Sequence, residues 1–440
     1  MDLTNIKENY SKDLNEIISF ANGFTKELKA ESLKNFNAKG LPTKKWEDWK
    51  YTNVSPLLTE SLSNDSQKVK IDDVFIDTFK FDDNAKVVFV NGWLDGEYTK
   101  LPEGVELEYY SANQSESEDN AEVKKIMTLA ANEKESFTNL NTVCASEIIM
   151  LKVGKSVVLK KPIAVFHIST KEAKGSTLTS KMIIKSEQFS EATVVEYFLH
   201  EEEVHYVQNS HTTCIVEAGA SLDHIKTQSE SSLALHVGKV HAEVAQDARF
   251  YSFTFSVGGK MVRNDLEINL NERGAYASVD GLFALREDQH HDNFSLINHR
   301  VEHTDSDQLF KGILDEESHG CFTGKVFVHR NAQLVNASQL NKNLLLSKKA
   351  HIDTRPQLEV YADDVKCAHG ATIGQISEEQ TFYLESRGIP RAQAQKILCR
   401  AFASDAINKV RNPLIKEKLS TLLFNSFEKF ALEHIGQEQK

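Results

Sequence analysis

Between about Lys155 and Ile373 the chain alternates apolar and polar residues in short runs, and the runs recur. Tyr251, Phe253, Phe255 and Val257 alternate with Ser252, Thr254 and Ser256, and Leu266, Ile268 and Leu270 alternate with Glu267 and Asn269. Alternation with period two marks strands with one buried face. A small residue precedes an apolar run at Ala192 (SEATVVEYF), Ala220 (EAGASLDHI), Ala248 (QDARFYSF) and Ala275 (ERGAYASV), in steps of 28, 28 and 27 residues. The next clear copy, Ala332 (RNAQLVNA), lies 57 residues on, about two periods, and Ala350 (KKAHIDTR) follows 18 later. A fixed period with a small corner residue predicts stacked coils, a β-helix or β-solenoid, because close-packed rungs favour Ala or Gly there. A β-sandwich is the alternative, since its turns are also regularly spaced.

The two ends read differently. Leu14–Phe20 and Val123–Leu129 have apolar positions three and four apart, and the interval from Val69 to Tyr110 (with KVVFVNGWLDGEY) is strand-like, so residues 1–150 are expected to be helical and mixed. Ser111–Asn120 (SANQSESEDN) reads as a solvated loop. After the β region, Ser377-Glu378-Glu379-Gln380 fits a capping box, and Arg387-Gly388 followed by Pro390 predicts a helix stop. Amphipathic runs over Ala392–Val410 and Leu414–His434 follow, with Ile397, Leu398, Ala401 and Phe402, then Leu419, Leu422, Leu423, Phe427 and Phe430, as their apolar faces. Three segments are therefore expected: 1–150 helical and mixed, 151–373 a β core, and 374–440 helical and packed on the β region or on a partner.

Charge and cysteine content exclude several function classes. A net charge of −13 disfavours nucleic-acid backbone binding and anionic membrane surfaces. No apolar run approaches the length of a membrane span. The first twenty residues lack a secretion signal, and five widely spaced cysteines fit a reducing compartment, so a cytoplasmic protein is expected. Cys144, Cys214, Cys321 and Cys399 read as small hydrophobes.

Most apparent motifs fail. Gly154-Lys155-Ser156 ends like a phosphate loop, but Ile149 stands where its first glycine belongs, and Gly320–Lys325 has the wrong spacing, so any ATP is handled by another chain. His200 and His205 are five apart, which puts them on different faces of either a helix or a strand. His299 and His303 share a face if both lie in one strand, with His290-His291 nearby, but histidines satisfied by ordinary hydrogen bonds explain them more simply.

Tyr361–Gly370 (YADDVKCAHG) carries more information. In a strand, Asp363, Val365, Cys367 and His369 share a face, with Cys367 and His369 about 7 Å apart at the backbone. A thiolate and an imidazole so placed are half of an iron or iron–sulfur site, which takes about four ligands. A buried cysteine beside a hydrogen-bonded histidine is the plainer reading.

Asp363–Ile389 (DDVKCAHGATIGQISEEQTFYLESRGI), Gly40–Thr52 (GLPTKKWEDWKYT) and Asp307–Asp315 (DQLFKGILD) closely resemble the SufB/SufD family of the SUF iron–sulfur cluster assembly machinery, in its SufD form. Ala368 stands where serine is commoner in that family. The resemblance implies a right-handed parallel β-helix core flanked by an N-terminal helical region and a C-terminal helical domain. It further implies a non-enzymatic scaffold that pairs with SufB through the β-helix and with the SufC ATPase through its C-terminal helices. Cys367 and His369 match the family's functional pair, so iron or a nascent cluster would be held transiently at the SufB interface. A homodimer is a further expected state. A carbohydrate-active β-helix enzyme using Asp363 and Asp364 is the rival, disfavoured because neighbouring strand residues face opposite sides.

Overall fold

A computed structural model describes residues 14–19, 21, 23–59, 69, 71, 85–111, 121–129 and 135–434. The reading of Ser111–Asn120 as a loop falls almost wholly outside them. The chain is a parallel β-solenoid of about eight turns with helices at both ends. Each turn contributes one strand to each of two sheets. The first sheet runs β19 (Val365–Gln375), β17 (Val335–Leu345), β15 (Asp305–Leu314), β13 (Tyr276–Leu285), β11 (Arg249–Ser256), β9 (Ser221–Ser229), β7 (Glu191–His200), β5 (Ile163–Ser169), β1 (Lys86–Val90) and β2 (Trp93–Leu94). The second runs β18 (His351–Val360), β16 (His319–Val328), β14 (His290–His299), β12 (Met261–Leu270), β10 (Leu235–Val244), β8 (Val207–Val216), β6 (Thr177–Ser186), β4 (Glu147–Val153) and β3 (Val105–Ser111). Among the described strand pairs, β1–β2 and β3–β4 are antiparallel and the rest parallel.

The sandwich alternative is thus set aside, and the corner assignment needs correction. Ala220, Ala248 and Ala275 do stand at one buried corner, each accepting a hydrogen bond from the strand start one coil on. In the coil before them that place belongs to Ser190, whereas Ala192 lies inside β7 opposite Leu222. Ala350 precedes β18 and so belongs to the other sheet, which is why it broke the period. Immediately before this corner stand Phe189, Gly219, Asp247, Gly274, His303 and Leu334, all left-handed, with φ between 53° and 75°. Each donates its N–H to a carbonyl of the following coil, so a turn that would leave a polar group stranded is satisfied by stacking. The left-handed turn itself admits Phe, Asp, His and Leu, but at Gly219 a Cβ would meet the Phe189 ring at 2.5 Å, so there the space requires glycine.

Helices cover the outer faces. Helix α1 (Gly23–Lys39) stops at Gly40, whose φ is +69°, and packs with α3 (Ser136–Cys144) on the second sheet. Leu33, Phe36, Phe137 and Leu140 there meet Val207, Leu235, Val237 and Met261. Helix α2 (Ala121–Leu129) buries Val123, Ile126 and Met127 beside Ile148 and Met150. At the other end, Ser377 accepts a hydrogen bond from the Gln380 N–H and starts α4 (Glu378–Glu385), as the capping box predicts. Helices α5 (Arg391–Ile407) and α6 (Pro413–His434) lie on the first sheet. The tail therefore packs on the β region, and of the stripe expected in α5 Phe402 packs against the core while the buried face is otherwise a different one. Ala394, Cys399, Ala403, Ala406 and Ile407 are buried, while Ile397 is exposed.

Candidate functional site

Both sequence-predicted site residues stand on β19, the last strand of the solenoid. Its pairing with β17 puts Cys367 opposite Ala337 and His369 opposite Gln339. Ala337 and Gln339 are buried inside the coil stack, and Cys367 packs partly against the cluster of Val326, Val328, Ala332, Val335 and Ala337. Cys367 and His369 thus continue two interior-facing rows at the point where no further coil covers them. Consequently Cys367 is half-buried and His369 exposed. Asp363 does not share their face, because β19 begins only at Val365 and Asp363–Asp364 form an exposed bend.

Burial raises the pKa of the Cys367 thiol, and a hydrogen bond involving the Ala337 backbone opposes that rise. The thiol therefore carries its proton at neutral pH, and an arriving metal ion must displace it. Beneath His369 runs a buried amide ladder: Gln339 Nε2 donates to Gln308 Oε1 at 2.6 Å, and Gln308 Nε2 donates to Ser295 Oγ at 2.7 Å. The ladder fixes the row on which His369 stands. The first step, 31 residues, crosses one coil, and the second, 13 residues, crosses the interior from β15 to β14.

On the outer face of the second sheet, the Trp46–Thr52 segment is clamped to the final coils. Asp48 pairs with Lys325 (2.5 Å), Glu47 with Arg355 (2.7 Å), and the Arg263 guanidinium lies 4.5 Å over the Trp49 ring. Thr52 Oγ1 donates to Asp292 Oδ2 at 2.5 Å. These contacts give the N-terminal motif a structural task that its sequence alone did not disclose. A cavity of about 700 Å³ opens beside it, lined among others by Trp46, Trp49, Phe137, Lys239 and Phe294.

Among the histidines read as structurally satisfied, His299 is so, whereas neither ring nitrogen of buried His291 has a hydrogen-bond partner among the described residues. His299 is buried, with Nδ1 2.8 Å from Thr304 Oγ1 and Nε2 2.9 Å from Ser306 Oγ, and His303 lies apart in a left-handed turn. His200 closes an acidic turn with Glu203 (3.2 Å). No described helix is long and apolar enough to cross a membrane.

An open β-solenoid end bearing Cys-Ala-His, with helices on both outer faces, agrees with the resemblance carried by the sequence. Residues 167–402 match the SufBD core domain of the SUF system for iron–sulfur cluster assembly, and residues 4–165 match the SufBD N-terminal region. The chain belongs to the SufBD family. Among its SufBD relatives, the iron–sulfur cluster assembly protein SufD of Escherichia coli is 30% identical over 86% of this chain and 88% of its own length. A SufBD family protein of Synechocystis is 28% identical over 84% of each chain. The chloroplastic protein ABCI7 of Arabidopsis thaliana is 26% identical over 86% of this chain and 81% of its own. Nothing in the fold or in these relatives supports the carbohydrate-active reading.

Proposed function

We propose that this SufBD-family chain is a non-enzymatic, cytoplasmic scaffold subunit that works in three parts: residues 1–150, a β core over 151–373, and a helical tail over 374–440. The core pairs with SufB at the β19 end, the tail docks the SufC ATPase, and iron or a nascent cluster is held transiently between Cys367, His369 and ligands from SufB. One observation carries this reading: β19 is an edge strand whose Cys367 and His369 stand on interior-facing rows left open where the coils end. An exposed parallel edge recruits another strand, and two ligands need partners to complete a coordination sphere. For the tail, exposed Phe382, Tyr383 and Ile397 on α4 and α5 offer apolar surface that the solenoid does not cover. A second copy of the chain can use the same edge, giving the homodimer.

The test is anaerobic co-expression with SufB and SufC, affinity purification, and absorption spectroscopy after iron and sulfide reconstitution. The expected result is a stable complex with an iron–sulfur band that weakens in His369→Ala while assembly persists. An unchanged band would remove His369 from the site, and absence of a complex would overturn the partner assignment.

A further inference from the structure

Three successive strands of the second sheet begin with the same pattern. His290 and Asp292 on β14, His319 and Cys321 on β16, and His351 and Asp353 on β18 stand opposite one another in register. They form two adjacent columns on the outer face, beside the clamped N-terminal motif and on the other sheet from β19.

The innermost pair is already engaged. Asp292 accepts from Thr52 and pairs with Arg263, and His290 Nε2 lies 3.0 Å from Thr52 Oγ1. His290 Nδ1 in turn lies 3.1 Å from His319 Nδ1. The other nitrogen of His319 is thereby turned toward the last coil. It lies 2.9 Å from Asp353 Oδ2, and His351 Nε2 approaches that same oxygen at 3.4 Å. Cys321 Sγ is 3.5 Å from His319 Nε2.

We propose that His319 Nε2, His351 Nε2 and Asp353 Oδ2 bind one divalent transition-metal ion. Ligand atoms about 2.0–2.1 Å from a tetrahedral ion stand about 3.3 Å apart, close to the spacings observed. One ligand atom from each of these three residues lies within 4.8 Å of the other two. Two imidazoles with a carboxylate select a borderline ion such as Zn²⁺ or Fe²⁺ over Mg²⁺ or Ca²⁺. The Thr52–His290–His319 chain supplies the outer hydrogen bond that orients a ligating imidazole. The site is open to entry, since the His351 side chain is 66% exposed and those of His319 and Asp353 are 31% and 26% exposed. The proposal does not depend on pairing with SufB.

The test is titration of the chelator-treated full chain with Co²⁺, followed by its visible absorption. One Co²⁺ per chain is expected, with affinity falling at least about tenfold in His351→Ala and in Asp353→Asn. His369→Ala and Cys367→Ser should bind as the parent does. His351 is exposed, so its variant should keep the parent's circular dichroism and melting temperature. Absence of Co²⁺ binding would overturn the proposal. So would binding that survives in His351→Ala and is lost in His369→Ala, which would place the ion at the solenoid end.

Discussion

Glu196 is wholly buried within the coils, yet its carboxylate is held in ionised form. Its oxygens lie 3.0 Å from His167 Nε2 and 2.6 Å from His224 Nε2, and accept from Thr212 Oγ1 at 2.9 Å. Burial pushes its pKa up, but the hydrogen bonds from the two histidines outweigh this and hold it well below the usual 4.5. A carboxyl depressed in the folded state contributes stability that is fully present above its unfolded pKa and is lost as pH falls through and below about 4.5. Urea unfolding of Glu196→Ala at pH 7 should therefore show a loss of about 3–5 kcal/mol, since two buried imidazoles lose their partner. The gap between parent and Glu196→Gln should narrow as pH is lowered from 5 toward 3. A pH-independent gap would show that the charge of Glu196 contributes nothing.

Helix α5 shows how an element chooses its buried face. The sequence offers Ile397, Leu398, Ala401 and Phe402 as the larger apolar stripe, but the sheet takes Ala394, Cys399, Ala403 and Ala406. Small side chains let the helix axis approach a flat strand surface closely, and Lys311 then pins it by donating to the Phe402 carbonyl (2.6 Å) and to Asp405 (2.7 Å). Ala403→Leu should accordingly overpack this contact and cost about 1–3 kcal/mol, whereas Ile397→Ala should lie within about 0.5 kcal/mol of the parent. Thermal melts of the two variants check the ordering, and a larger loss for Ile397→Ala would restore the face expected from the sequence. The edge position of β18 also explains Pro356 at its centre, because an edge strand tolerates the missing N–H.

At the scale of the whole molecule, the solenoid is asymmetric in how it ends. The β1–β2 and β3–β4 pairs close one end with antiparallel strands, while β18 and β19 end the stack with an edge that pairs with no strand among the described residues. Each coil is stabilised mainly by its neighbours, so the last coil has half the usual contacts and gains most from a partner. Ala371 lies on the same face of β19 as His369, opposite Asn341, and is exposed. Ala371→Arg should leave the melting temperature of the isolated chain within about 2 °C while abolishing association at this end. Size-exclusion chromatography with light scattering, alone and with SufB present, reads the outcome. Unimpaired association would mean that another surface forms the interface.

What the sequence determined by itself was local. Period-two alternation, the Ser377 cap and the glycine stop at Gly388 depend on residues a few positions apart, and each is present in the structure. The common face of Cys367 and His369 follows from strand geometry in the same way. Tertiary structure decided the relations that cross a coil. From β4 onward the step between paired strands ranges from 26 residues (Leu235 to Met261) to 33 (Ile149 to Met182), too variable for a fixed period, so the corner drifted from Ala192 to Ser190 and the column His290, His319, His351 passed unnoticed. The N-terminal motif lies even further from its partners, with 308 residues between Glu47 and Arg355. Sequence placed Cys367 and His369 side by side. Only the ending of the coil stack turned two interior rows into an open mouth, because exposure is set by what fails to pack above a residue and not by the residue itself.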